Sequence, residues 1–269
     1  MKILRAAIIA LMVLAIVGPL VWVAMNSVKT NTELFGSPWS PPKVLAWDNF
    51  SRGWNEIGAR SFVNSLIATV ATLVFLLPIG AMAAYIFAKF PFPGRGTVYA
   101  MFLGGMMFPN FLVAIPLVLL YRDLGLLNTM HGLVLAYVAY SLSFTIFVLT
   151  GFFQAIPEEL REAAEIDGGS PSRTFWTVMF PLVRPGLVVV GIFNAIGLWN
   201  EYPLAMVLLS GENSTLPLGI ASMAMAQNYR ADWTGLFAAT LLAMLPVLVV
   251  YLKFREQLQE AMVAGAVKG

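Results

Sequence analysis

Apolar residues in this chain fall into long runs separated by short polar stretches, and the runs set the elements. Residues 6–25 form a first run of about 20, the length that crosses the hydrocarbon of a bilayer. It is longer than the core of a signal peptide and has no good cleavage site, because Trp22 occupies the minus-three place before Ala24; it is expected to stay as a membrane helix. Comparable runs over 62–88, 97–120, 133–153, 186–209 and 233–252 predict five more. The pattern therefore reads as an all-α, polytopic membrane protein with six transmembrane helices and both termini on one side. Residues 26–61 are polar and rich in proline, and Trp39, Trp47, Phe50 and Trp54 suit a membrane interface. The expected organisation is a helix at 1–25, an extracytoplasmic loop at 26–61, a core membrane domain at 62–252 with a cytoplasmic loop at 154–185, and a cytoplasmic tail at 253–269.

The most informative polar stretch runs from Pro157 to Pro185, between two spans. Pro157 suits a first helical turn, Glu158 and Glu159 sit well at the positive end of a helix dipole, and Gly168-Gly169 supplies a stop. Ser170-Pro171 then reads as a cap followed by proline at the first position of a second helix. On the first helix Leu160, Ala163, Ala164 and Asp167 share one face, with Glu158, Glu162 and Glu165 around the rest. A stripe of small residues buries little alone. It fits either a groove on another protein or a loop helix lying on its own membrane domain.

Composition agrees with a membrane location: 59% of the 269 residues are hydrophobic and 11% are charged, against about a quarter charged in soluble domains. The net charge of +2 and the absence of a basic, aromatic-interleaved cluster argue against nucleic acid. There is no cysteine, and the single His131 has no clustered partner, so no metal or redox site is implied. Lys2, Arg5, Lys89, Arg95, Arg161, Arg173, Arg184, Lys253, Arg255 and Lys268 lie on the side of the termini and the polar loop. Lys29, Lys43, Arg52, Arg60, Arg122 and Arg230 lie on the other. Ten against six makes the first side cytoplasmic.

Polar side chains within spans are costly in lipid and mark either a path or a helix contact. Asn194, Gly197, Leu198 and Glu201 are expected on one face of the fifth helix, with Asn200 beside them. Tyr137, Tyr140, Ser141 and Phe144 share a face of the fourth, an aromatic and hydroxyl mixture on which sugar rings stack. Asn110 follows Pro109 near the middle of the third. Each of these either lines a translocation path or binds a neighbouring helix at a proline break. The chain has no phosphate-cradling G-x-x-x-x-G-K-[ST] loop, so it does not power transport by itself. A membrane enzyme using Glu201 with Asn200 as an acid/base pair is the contrasting reading, and it lacks a second catalytic group.

E-A-A-E-I-D-G-G at 162–169, with P-L-V-R-P at 181–185, resembles the E-A-A loop of permease subunits of ATP-binding cassette importers. The stretches S-V-K-T-N-T-E-L-F at 27–35, N-S-L at 64–66, A-A-Y-I-F-A-K-F-P-F-P-G at 83–94, Y-R-D-L-G-L-L-N-T at 121–129, W-N-E-Y at 199–202 and G-A-V-K-G at 265–269 extend the likeness to the carbohydrate-uptake branch, specifically its maltose-type second membrane subunit. The resemblance implies a type I importer permease fold in a bacterial or archaeal cytoplasmic membrane. It implies a second permease chain, two cytosolic ATPase subunits that carry ATP and Mg, an external solute-binding protein and a sugar substrate. This chain would bind no cofactor itself. A polyol phosphate or another small solute is the alternative, disfavoured by the absence of Lys or Arg inside the spans. Glu159, Glu162, Ala163, Ala164, Asp167 and Gly168 would form the ATPase-coupling helix, and Gly265, Lys268 and Gly269 a tail inserted between the ATPase subunits. Gly169 stands where relatives often have alanine, a difference expected to loosen the end of that helix.

Overall fold

The computed structural model describes residues 2–266; within them the side chains of Lys2, Ile3, Asn110, Phe111, Asn228, Arg230 and residues 258–266 are outside the description. The elements in chain order are α1 (Lys2–Ser27), α2 (Asn31–Gly36), α3 (Asp48–Ile57), α4 (Ala59–Lys89), α5 (Arg95–Gly105), α6 (Asn110–Asp123), α7 (Met130–Gln154), α8 (Glu158–Ile166), α9 (Pro171–Thr174), a π-helical turn (Phe175–Met179), α10 (Phe180–Leu182), α11 (Arg184–Trp199), α12 (Pro203–Leu208), a 3-10 turn (Gly211–Asn213), α13 (Leu216–Arg230) and α14 (Trp233–Ala266).

Among the described residues four helices are long and apolar enough to cross a bilayer: Leu4–Ser27, Ala59–Lys89, Met130–Gln154 and Trp233–Gln257. The other two expected spans are interrupted, so the count of six is approximate. The run at 97–120 divides into α5 and α6, because the backbone leaves the helix after Gly104-Gly105 and Pro109 restarts it as the N-cap of α6. The run at 186–209 ends at Trp199, and Pro203 opens α12. The segment Pro171–Leu182 followed by Arg184–Trp199 forms a pair bent by 72°, a fifth crossing if the pair counts as one span. The last helix runs on to Ala266, well past the expected boundary at 252.

Two compact units are present: 1–63 with 215–248, and 64–214 with 249–269. In the first, the expected loop at 26–61 contains α2 and α3, held by a buried asparagine. Asn49 Nδ2 donates to the carbonyls of Ser27 and Lys29, both at 2.7 Å, and its Oδ1 accepts from Arg52 at 2.6 Å. Asp232, before α14, accepts from Asn31, from the Arg52 guanidinium and from the Gly235 N–H. Burial opposes ionisation of Asp232, but these donors outweigh it and hold its carboxyl at about 2.

In the second unit α7 is the central helix. Close approach to it depends on glycine: a Cβ at Gly80 of α4 would lie 2.4 Å from Thr145 Cγ2, and one at Gly186 of α11 would lie 2.6 Å from the Phe152 ring. Within lipid, where apolar surface gains little by contacting other apolar surface, such close packing is what holds helices together. The core continues to the end of α4, where Tyr85 packs against Phe90, Phe153 and Phe175 with ring centroids 5.2–5.5 Å apart. Ala81, Ala84, Leu149, Met179, Val183 and Val190 complete this buried cluster, and Ile156, just before the loop helix α8, packs against it.

Candidate functional site: the loop helix α8 and the polar groups of α7, α11 and α12

The polar loop folds as its residues direct. Pro157 is the N-cap of α8, Glu158 and Glu159 occupy the first turn, and Gly168 takes a left-handed φ of 83°. The Gly168 N–H reaches the Glu165 carbonyl and the Gly169 N–H the Ala164 carbonyl, both at 3.0 Å, which is the Schellman closure of a helix end. Gly169 does not loosen this end, contrary to expectation: its N–H closes the motif, and a Cβ there would lie 2.6 Å from the Ala164 carbonyl oxygen. Ser170 caps the next helix by accepting from the Arg173 N–H, with Pro171 at its first position, as the sequence predicts.

No residue of α8 is buried. Glu159, Glu162, Ala163, Asp167 and Gly168 are exposed, Ala164 is half-buried, and two apolar side chains face outward: Leu160 is 43% exposed and Ile166 85%. The opposite face is fixed by charge. Arg161 pairs with Glu158 and Glu165, and Lys89 at the end of α4 pairs with Glu158 at 3.1 Å. Burial works against the Glu158 carboxyl, yet hydrogen bonds from Arg161 and Lys89 outweigh it and hold it below the usual carboxylate range. Sequence reasoning used Lys89 and Arg161 only for orientation and gave them and Phe90 no role in holding α8; a lone lysine ending a 27-residue apolar run was the available signal.

The polar residues of the spans separate into two groups. Glu201 is not on α11, which ends at Trp199, so the expected shared face with Asn194 is corrected. Its carboxyl caps α12, accepting from the N–H groups of Leu204 at 2.7 Å and Ala205 at 3.1 Å, and it accepts the Tyr137 hydroxyl at 2.8 Å. Both side chains are buried. Asn194 Nδ2 donates to Thr145 Oγ1 at 3.1 Å, and Thr145 donates to the Ser141 carbonyl at 2.8 Å, so these groups join α11 to α7. Tyr140 and Asn200 are different: both are exposed, and Asn200 Nδ2 turns back to the Ile196 carbonyl. Tyr140 lines a cavity of about 410 Å³ at the α5–α6 break, with Ser143, Phe108, Leu117, Tyr121 and Leu204 among its walls. Lys268 and Gly269 lie outside the described residues, and Asn110 and Gly265 are placed only as backbone of α6 and α14.

Residues 76–262 match the family described as binding-protein-dependent transport system inner membrane components. The chain belongs to this family. Among relatives of this inner membrane component, the diacetylchitobiose uptake system permease protein NgcG of Streptomyces coelicolor is 39% identical over 96% of this chain and 86% of its own length. The trehalose transport system permease protein SugB of Mycobacterium tuberculosis is 32% identical over 93% and 92%. A solved bacterial ABC transporter involved in the import of the acidic polysaccharide alginate contains a chain of the same fold, with a TM-score of 0.79 and 24% identity over 95% of each chain. This component is thus a multi-pass permease subunit of an ABC importer, and not an enzyme.

Proposed function

We propose that this permease forms half of the membrane passage of an ATP-driven sugar importer, working with a second permease chain, two cytosolic ATPase subunits that bind ATP and Mg, and an extracytoplasmic solute-binding protein. The carrying observation is α8: a helix with no buried residue that turns Leu160, Ala163 and Ile166 outward while the Lys89–Glu158 ion pair ties its other face to the end of α4. An exposed apolar stripe on a fixed helix is suited to a groove on a partner. In this reading α8 docks in the ATPase, with Glu159, Glu162, Ala163, Ala164, Asp167 and Gly168 as the coupling residues, and closure of the ATPase pair shifts α8 and the core cluster between discrete arrangements. Both termini and the 154–185 loop are cytoplasmic, in the cytoplasmic membrane of a bacterium or archaeon.

Tyr140 and Asn200 are the path residues best placed to meet solute, because both are exposed. Tyr137, Ser141, Asn194 and Glu201 shape the passage from behind by fixing α7, α11 and α12. Diacetylchitobiose and trehalose in the names of relatives support a sugar, and the uncharged walls of the cavity around Tyr140 support a neutral solute. The test is ATP hydrolysis by the complex purified with this chain, in lipid discs with its binding protein, across mono-, di- and oligosaccharides and polyol phosphates. Stimulation by a neutral sugar is expected. Stimulation by a polyol phosphate alone would overturn the sugar assignment.

A further inference from the structure

A helix with no fully buried residue needs an anchor beyond apolar packing. For α8 the hold is at its N-terminal end. Lys89, the last residue of α4, has a side chain only 7% exposed. Its Nζ donates to the Ile156 carbonyl at 2.6 Å and pairs with Glu158 at 3.1 Å. Ile156 immediately precedes the N-cap Pro157, and Glu158 is the first residue of α8, so one ammonium group grips both the approach to the helix and its first turn. One turn later the Arg161 guanidinium joins Glu158 to Glu165 and stands 5.6 Å over the ring of Phe90, the residue after Lys89. Phe90 in turn packs edge-on against Tyr85 of the core cluster.

The two ends of α8 are therefore mechanically unlike. At the far end α8 closes on its own Ala164 and Glu165 carbonyls, with Gly168 at positive φ. At the near end, pulling α8 away from α4 would strand a nearly buried ammonium, which costs far more than breaking an exposed pair. We propose that Lys89 is a positioning residue that makes α4 move with α8, so that displacement of the loop helix reaches the membrane core through the end of α4. The proposal rests on α8 being the coupling helix.

The test uses the intact importer in lipid discs. The chain has no cysteine, so a single cysteine replacing Tyr140 in the cavity reports ATP-driven rearrangement as a change in maleimide labelling rate between nucleotide-free and MgATP-vanadate conditions. Lys89→Met should reduce that change about 3- to 10-fold, the size of typical effects along coupling routes, while the ATPase subunits stay bound and hydrolyse ATP. Lys89→Arg should restore most of the response, which general destabilisation would not allow. Glu158→Gln should reproduce the loss, and it supplies the answer should Lys89→Met not assemble. A full response in both Lys89→Met and Glu158→Gln, with Gly168→Trp blocked, would refute the Lys89 link and leave α8 as the coupling helix. A response that survives Gly168→Trp as well would remove the coupling reading and the proposal together.

Discussion

Replacing Glu201 with alanine should destabilise the membrane core by about 2–4 kcal/mol, and the figure follows from what its carboxyl holds. Two N–H groups at the start of α12 lose their cap, worth about 0.5–2 kcal/mol. The Tyr137 hydroxyl, with its side chain 1% exposed, loses its acceptor, and an unsatisfied buried hydroxyl costs about 1–3 kcal/mol. Tyr137→Phe should cost only about 1 kcal/mol, because the hydroxyl is removed rather than stranded. The pair should be non-additive by about 1 kcal/mol or more, since with Phe at 137 nothing is left to strand. Reversible denaturation of the purified chain in mixed micelles gives all three values, and uptake by the same variants in vesicles gives the Km. The account expects stability to fall with little change in Km. A Glu201→Ala chain of unchanged stability whose Km rises tenfold would refute it and make Glu201 a solute contact.

Other consequences can be checked alongside. Gly186→Val places a side chain on the Phe152 ring and should cost about 1–3 kcal/mol, read as a lower denaturation midpoint, whereas the same change at Gly197, where a Cβ meets nothing within 4 Å, should be nearly silent. Asp232 has its folded value depressed to about 2 from 3.8, so its contribution is complete above about pH 4 and is lost as pH falls towards 2. That difference corresponds to about 2 kcal/mol, reduced by partial exposure to about 1; Asp232→Asn should remove it and flatten the acid limb of a stability profile from pH 6 to pH 3. Gly168→Ala introduces a Cβ at φ 83°, costing about 1 kcal/mol locally, and should lower uptake more than it lowers stability.

How much of this was legible depended on the range of the interaction. The ends of α8 and α9 were written locally: Pro157, Gly168 and the Ser170-Pro171 pair act on their own neighbours in sequence, and they act as expected. The span breaks were half visible. Gly104-Gly105 and Pro109 announced irregularity, yet an apolar run has the same composition whether or not its helix is interrupted. For the polar residues the sequence left path-lining and helix contact open, because their partners are distant. Glu201 pairs with Tyr137 across 64 residues and Asn194 with Thr145 across 49, so helical periodicity assigned faces without revealing that these side chains face each other. Lys89 counted only towards orientation, since its partner Glu158 lies 69 positions later.

The central claim is that α8 is where this permease meets its ATPase. The most direct test places a photo-crosslinking amino acid at Ile166, the most exposed apolar side chain of α8, in the intact purified importer. The account predicts an adduct with the ATPase subunit that is lost or shifted when ATP and vanadate trap the closed complex. Adducts only with lipid or with the permease chains themselves, in every nucleotide state, would contradict it.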